Sequence, residues 1–268
     1  RPTRPALWEY YRQATGAPPA SCVISTYKDK LLVLSHSSYP GYGAPDSARI
    51  IGPTYNDSNS TALWKADALA NQPTVSLLCL GYTDLTGHSG DWEAYTGAIA
   101  TADTLVAHVW NWIESTPGWA GKTTLLVTAD HGRHSDNWVE HGDACTGCRH
   151  LFLVALGPDI AVGLEQSWPI AVQRDVAETA AALLGIPAPL SEGRVLTQML
   201  RDPSQVPQAF AAVEGWRLRI APLPSSGAVR VSLRTGTADP EAADPGGAAW
   251  RLSLVDATGR THWTGRSS

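Results

Sequence analysis

The sequence predicts an α/β fold on a mostly parallel sheet sandwiched by helices, followed by a small antiparallel β appendage. Three observations carry this: short runs that are apolar throughout, helical patterns between them, and turn formers at the junctions. A strand covered by helices on both faces buries every side chain, so it reads as a continuous apolar run rather than an alternating one. In chain order, a helix is predicted over Pro5–Ala14, with Pro at a plausible first turn, then strands over Cys22–Thr26 and Leu31–Ser35. The polar cluster Asn56–Ser60 supplies an N-cap for a helix over Thr61–Asn71, and a strand follows over Thr74–Gly81. Trp92, Tyr95, Ile99, Val106, Val109 and Ile113 recur at three- and four-residue spacing, which predicts a long helix over Asp91–Ser115 ending at Pro117-Gly118. Strands over Thr123–Thr128 and Leu151–Leu156, a helix over Val172–Leu184 stopped by Gly185 and Pro187, and a short helix over Arg194–Arg201 complete the domain, set at residues 1–212.

From Trp216 the texture changes to alternating apolar and polar residues over Arg217–Ile220, Ala228–Leu233 and Trp250–Val255, interrupted by the Pro/Gly/Ala-rich stretch Ala238–Ala249. This predicts a small β domain over residues 213–268. Its tail, Asp256-Ala257-Thr258-Gly259-Arg260, resembles the end of the C-terminal sorting domains of type IX secretion; an ordinary β extension is the alternative. A secreted or periplasmic location is the corresponding expectation. Arg1 opens a Pro-rich start with no Met and no signal peptide, so the chain reads as processed or cut from something longer.

Composition narrows the function. With 43% hydrophobic and 17% charged residues the chain has the material for a sizeable core and is no disordered polyelectrolyte. A net charge of −5 and scattered Arg residues argue against binding of a nucleic-acid duplex, which needs a clustered basic surface. No transmembrane segment is expected, for want of a long uncharged apolar run. The four cysteines are too few for a disulfide scaffold: Cys22 and Cys79 sit in strand-like runs as small buried hydrophobes. Cys145 and Cys148 form a CxxC in a polar loop, open to a local disulfide, half a zinc site or two free thiols.

In open α/β sheets ligands bind beyond the carboxyl ends of the strands. There stand Asp84 and His88 after the strand Thr74–Gly81, and Asp130 and His131 after Thr123–Thr128; His141, in Trp138-Val-Glu-His141-Gly142, precedes the next strand. Each residue alone has a bland explanation, since a loop His is ordinarily solvent-exposed or hydrogen-bonding. Five oxygen and nitrogen ligands at one edge of one sheet point instead to a divalent cation such as zinc or manganese.

Asp84-x-x-x-His88, Thr128-Ala-Asp130-His131-Gly132 and the later His141 resemble the metal signature of the alkaline phosphatase superfamily, which includes phosphodiesterases, phosphatases, cofactor-independent phosphoglycerate mutases and sulfatases. The resemblance extends to Leu156-Gly157-Pro158, to Asp175-Val-Ala-Glu-Thr179 with Leu183-Leu184-Gly185-Ile186-Pro187, and to Gly193-Arg194-Val195-Leu196. It implies a hydrolase of phosphate mono- or diesters acting on a small phosphorylated substrate through two divalent ions, zinc with manganese as the alternative. Asp84, His88 and His141 would hold one ion, with His150 and His134 competing for the place of His141, and Asp130 and His131 would hold the other. Two ions about 4 Å apart clamp both ends of an in-line displacement.

The resemblance also implies a further Asp ligand and a Ser or Thr nucleophile ahead of the Trp8-Glu9-Tyr10-Tyr11 helix. Both are expected upstream of Arg1; Thr3 and Thr15 occupy no suitable turn, and this chain alone is expected to be inactive. Three other readings stay open: a non-catalytic metal-binding pseudoenzyme, a phosphomutase, and a sulfatase, the last without a Cys-x-Pro-x-Arg segment in its favour. A zinc knuckle of His141, Cys145, Cys148 and His150 is disfavoured, because His141 serves better beside His88. The Tyr-, Gly-, Pro- and Ser-rich region Ser35–Asn59 is the expected seat of substrate selection.

Overall fold

The computed structural model describes residues 1–143, 145–165 and 170–203, and the backbone of four further strands between residues 216 and 266. The chain divides into two compact units, Arg1–Phe210 and Ala211–Ser268.

The first unit is built around β1 (Cys22–Thr26), which pairs in parallel with β2 (Arg49–Ile51) on one side and β3 (Val75–Cys79) on the other. Every residue of β1 is buried, as its apolar sequence predicts for the middle strand of a covered parallel sheet. Alternation sends its side chains to opposite faces. Cys22 and Ile24 join Trp8, Ala48 and Val75 in one core cluster under helix α1 (Leu7–Thr15). Val23 joins Trp64 and Ala68 of α2 (Asp57–Asn71) and Val109 and Ile113 of α4 (Trp92–Ser115) in a second. Both helix starts are capped by side chains: Asn56 accepts the Asn59 N–H at 2.8 Å and Asp91 the Ala94 N–H at 3.0 Å. A third cluster packs Tyr10 against Ala181, Ile186 and Ala188, at and beyond α6 (Gln173–Leu183). Within α6, the Asp175 carboxylate takes the backbone N–H of Val172 and of Arg194, both at 3.0 Å, and Thr179 Oγ1 takes that of Leu196, also at 3.0 Å. Asp175 and Thr179 thus pin the Gly193–Leu196 turn onto the helix, a packing role for two residues of the sequence signature.

Four elements depart from expectation. Strand β4 (Leu125–Thr128) pairs with β5 (Leu153–Leu156) antiparallel, in a sheet of its own, so the site residues do not stand along the edge of a single sheet. Among the described residues between these strands the only helix is the one-turn α5 (Thr146–Arg149), too short for the crossover that a parallel return requires. The apolar run at Leu31–Ser35 lies in a 3₁₀ helix, Asp29–Ser35, with Val33 45% exposed; a short continuous apolar run carries no period that distinguishes the two. The segment after β3 is a helix, α3 (Tyr82–Gly87), rather than a loop, and Arg194–Arg201 retains only a 3₁₀ turn at Thr197–Met199.

In the second unit β6 (Trp216–Pro222) pairs antiparallel with β7 (Val229–Thr235), and β8 (Arg251–Val255) with β9 (Thr261–Arg266). The stretch Ala238–Ala249 and the tail Asp256–Arg260 lie outside the described residues.

Candidate metal centre

A two-residue link separates helix α3 from β3, and its start is held by a buried carboxylate. Asp57, the first residue of α2, accepts the backbone N–H of Gly81 at 2.8 Å and of Tyr82 at 2.9 Å. This fixes the turn on which Asp84 stands, and His88, four residues on, follows on the same helical face.

The Asp84 carboxylate is the hub. Its Oδ1 lies 3.3 Å from His88 Nε2, 3.2 Å from His141 Nε2 and 3.9 Å from His131 Nε2. The Nε2 atoms of His88 and His141 are 3.0 Å apart, and the rings of His131 and His141 stack with centroids 3.6 Å apart. Four of the five residues singled out in the sequence therefore converge directly. The fifth, Asp130, has an 81% exposed side chain and reaches the group through His131, whose Nε2 is 3.7 Å from Asp130 Oδ2. His131 Nε2 thus stands between the two carboxylates, while its Nδ1 lies 2.9 Å from the Gly132 carbonyl, which fixes the ring orientation.

Asp84 Oδ1, His88 Nε2 and His141 Nε2 form a nearly equilateral triangle with edges of 3.0 to 3.3 Å. Tetrahedral zinc with bonds near 2.0–2.2 Å sets neighbouring nitrogen and oxygen ligands about 3.4 Å apart, so one face of such a polyhedron fits these three atoms. Burial, the largest influence, and the neighbouring His131 hold the His141 imidazole below its ordinary pKa, which keeps it neutral and free to ligate. The compact metal-capable group at this place is Asp84, His131 and His141, with the more exposed His88 beside it; His134 belongs to a different group, and His150 to neither.

Two cations missing from the sequence reading complete the site. Lys28 Nζ lies 2.6 Å from Asp84 Oδ2, and Arg133 Nη2 lies 2.9 Å from Oδ1. Burial would raise the Asp84 pKa, but Lys28, His88 and Arg133 together hold it below the usual carboxylate value. The Arg133 side chain is only 8% exposed; it also donates to the carbonyls of Asp84 and Val139 and lies over the Tyr95 ring at 5.4 Å. Tyr95 in turn stacks on Trp138, which adjoins Trp92. Arg133 thereby ties α3 and α4 to the segment that delivers His141. Gly87 makes this possible, for a Cβ there would collide with the guanidinium. Both cations had a signal in the sequence: Lys28 follows the carboxyl end of the central strand, and Arg133 follows the Asp-His-Gly triplet. The hydroxyls nearest His88 in sequence are engaged locally, Thr86 with the Tyr82 carbonyl at 2.9 Å and Ser89 with the Thr86 carbonyl at 2.6 Å.

With this geometry in place, comparison with known proteins shows what part of the chain is similar to. Residues 51–142 match the family described as the Metalloenzyme superfamily, and the match spans α2 through His141. It supports the superfamily read from the metal signature, and that family implies divalent metal binding. Two relatives are each named 2,3-bisphosphoglycerate-independent phosphoglycerate mutase. The protein of Ectopseudomonas mendocina (strain ymp) is 34% identical over 128 residues, 46% of this chain, and that of Acaryochloris marina (strain MBIC 11017) is 33% identical over 84 residues, 31% of this chain. The matches cover 23% and 15% of those relatives' own lengths.

Proposed function

We propose that the protein is a metal-dependent phosphoryl-transfer enzyme, and specifically a hydrolase of small phosphate mono- or diesters with two divalent ions, zinc or manganese. The observation that carries this is the convergence of Asp84, His88 and His141 on one compact triangle of ligand atoms, with His131 shared toward Asp130. When bound, the ions would supply charge neutralisation at the phosphoryl oxygens and activation of the attacking oxygen.

In this reading Asp84, His88 and His141 hold one ion, and Asp130 and His131 contribute to the second. Arg133, itself nearly buried, is a positioning residue: it fixes the Asp84 carboxylate and the His141 segment together. Lys28, 27% exposed, sets a positive charge at the rim, which favours an anionic substrate. A phosphomutase acting on the same class of substrate is the second reading, favoured by the names of the two relatives.

The test is a side-by-side assay, with zinc or manganese, of the full-length protein, any segment preceding Arg1 included, on an aryl phosphate, a bis-aryl phosphate and 3-phosphoglycerate. Metal-dependent release of the aryl alcohol, lost in Asp84→Asn and His141→Ala, is the expected result. Isomerisation of phosphoglycerate without net hydrolysis would replace the hydrolase with the mutase. Stoichiometric metal uptake with turnover of none of the three would overturn both in favour of a binding-only protein.

A further inference from the structure

A second group of ligand-type side chains lies beyond the site just described: His134, Asp143, Cys145 and Cys148, whose ligand atoms all fall within 4.8 Å of one another. His134 Nδ1 is 3.2 Å from Asp143 Oδ2 and 3.8 Å from Cys145 Sγ. Around tetrahedral zinc, with Zn–S near 2.3 Å and Zn–N and Zn–O near 2.0–2.2 Å, the corresponding edges are about 3.4 and 3.6 Å. All four cysteines of the chain are free thiols, so the pair is not joined in a disulfide. From this geometry we infer that His134, Asp143, Cys145 and Cys148 form a structural zinc site, distinct from the Asp84 centre.

The surroundings are those of a built site. Cys145 Sγ already accepts the backbone N–H of Cys148 at 3.3 Å, the kind of contact that steadies a thiolate. The other Asp143 oxygen accepts the Cys145 N–H at 2.9 Å, which aims Oδ2 at His134. The Cys148 carbonyl takes the Gly132 N–H at 2.9 Å, and His134 donates its own N–H to Glu140 at 3.1 Å. Gly132 and Gly147 face each other so closely that a Cβ on Gly132 would strike the Gly147 carbonyl oxygen, and one on Gly147 would strike that of Arg133. The CxxC turn is thus clamped against the strand of chain that carries His131. Four protein ligands leave no open position, which marks the ion as structural and not catalytic. The soft thiolates favour zinc over manganese or magnesium. Binding displaces the two thiol protons to solvent and leaves the oxidation state of every group unchanged.

The ligands also differ from the knuckle weighed in the sequence. His141 is beside His88 and His150 is exposed, and their places are taken by His134, three residues past His131, and by Asp143. The pairing was hidden because His134 and Cys145 are brought together by a fold-back that no local spacing announces.

Cobalt substitution distinguishes this site from the Asp84 centre, which has no sulfur. The whole chain, reduced, stripped with chelator and titrated with Co(II), should develop a thiolate-to-cobalt charge-transfer band saturating at one ion per chain. The band should persist in a His88→Ala, His141→Ala double variant, weaken in Cys145→Ser and in Cys148→Ser, and vanish when both cysteines are replaced. Should the Ser variants fold poorly, alkylation mapped by peptide mass gives a second reading in the unsubstituted protein. With zinc, Cys145 and Cys148 should be modified at least tenfold more slowly than after chelation. Cobalt bound without any thiolate band, alkylation indifferent to zinc, or a Cys145–Cys148 disulfide in the protein as isolated would each overturn the assignment.

Discussion

Glu9 and Asp84 are two carboxylates of the same unit with opposite surroundings. Glu9 is fully buried, and its oxygens accept the Ala6 N–H at 2.7 Å, the Ser37 N–H at 3.0 Å and the Ser37 hydroxyl at 2.9 Å. Each partner is a neutral donor from a neighbouring segment, and the group is closed. Asp84 is 28% exposed and faces Lys28, Arg133 and three imidazole nitrogens, two of them 3.0 Å from each other. Imidazole nitrogens crowded round one carboxylate, two of them against each other, are an arrangement that a shared cation would satisfy. The contrast is between a carboxylate closed off by neutral donors, which holds a fold together, and one ringed by cations and imidazoles and still open to solvent, which on the proposed assignment takes a metal ion.

Replacing the structural member should give the largest effect. Glu9→Ala leaves the Ser37 and Ala6 donors buried without partners, and should cost about 3 to 5 kcal/mol in urea unfolding while the folded fraction binds metal normally. A loss under about 1 kcal/mol would erase the distinction. Next in size, Arg133→Met removes the tie between α3, Tyr95 and the Val139 carbonyl but none of the proposed ligands. It should weaken metal binding at the Asp84 centre by about 10- to 100-fold, the range usual for groups that orient ligands, read by competition with a metallochromic dye. Unchanged affinity would show that Asp84 and His141 are held without it. The smallest effect belongs to Asp57→Ala. Loss of the cap on α3 should cost about 1 to 2 kcal/mol of stability, with a loss of metal affinity smaller than that of Arg133→Met.

What could be read from the sequence followed the range of the interactions. The central strand Cys22–Thr26, the long helix ending at Ser115 and the capped start of α2 are governed by local pattern, and the structure has them within a few residues. The convergence of His88 with His141 was legible through the resemblance of the metal signature and not through a shared sheet edge, since β3 and β4 lie in separate sheets and His141 follows no strand end. The antiparallel return of β5 was not, since a buried apolar run looks the same in either direction. Nor were Arg133 and Asp57, whose roles rest on backbone carbonyls and N–H groups contributed by other elements, a kind of partner that carries no residue identity.

The short strip from His131 to His134 has contacts that alternate in side. His131 and Arg133 turn toward Asp84, while Gly132 and His134 turn toward the CxxC turn. On the proposed assignments, an ion on either side freezes the same few backbone torsions, so the second ion to arrive finds part of its ordering entropy already spent. Cooperativity of this sort is reciprocal: the factor by which zinc among the cysteines tightens the imidazole centre must equal the factor in the other direction. Occupancy of a site that touches no substrate would in this way set the metal concentration at which the other becomes filled.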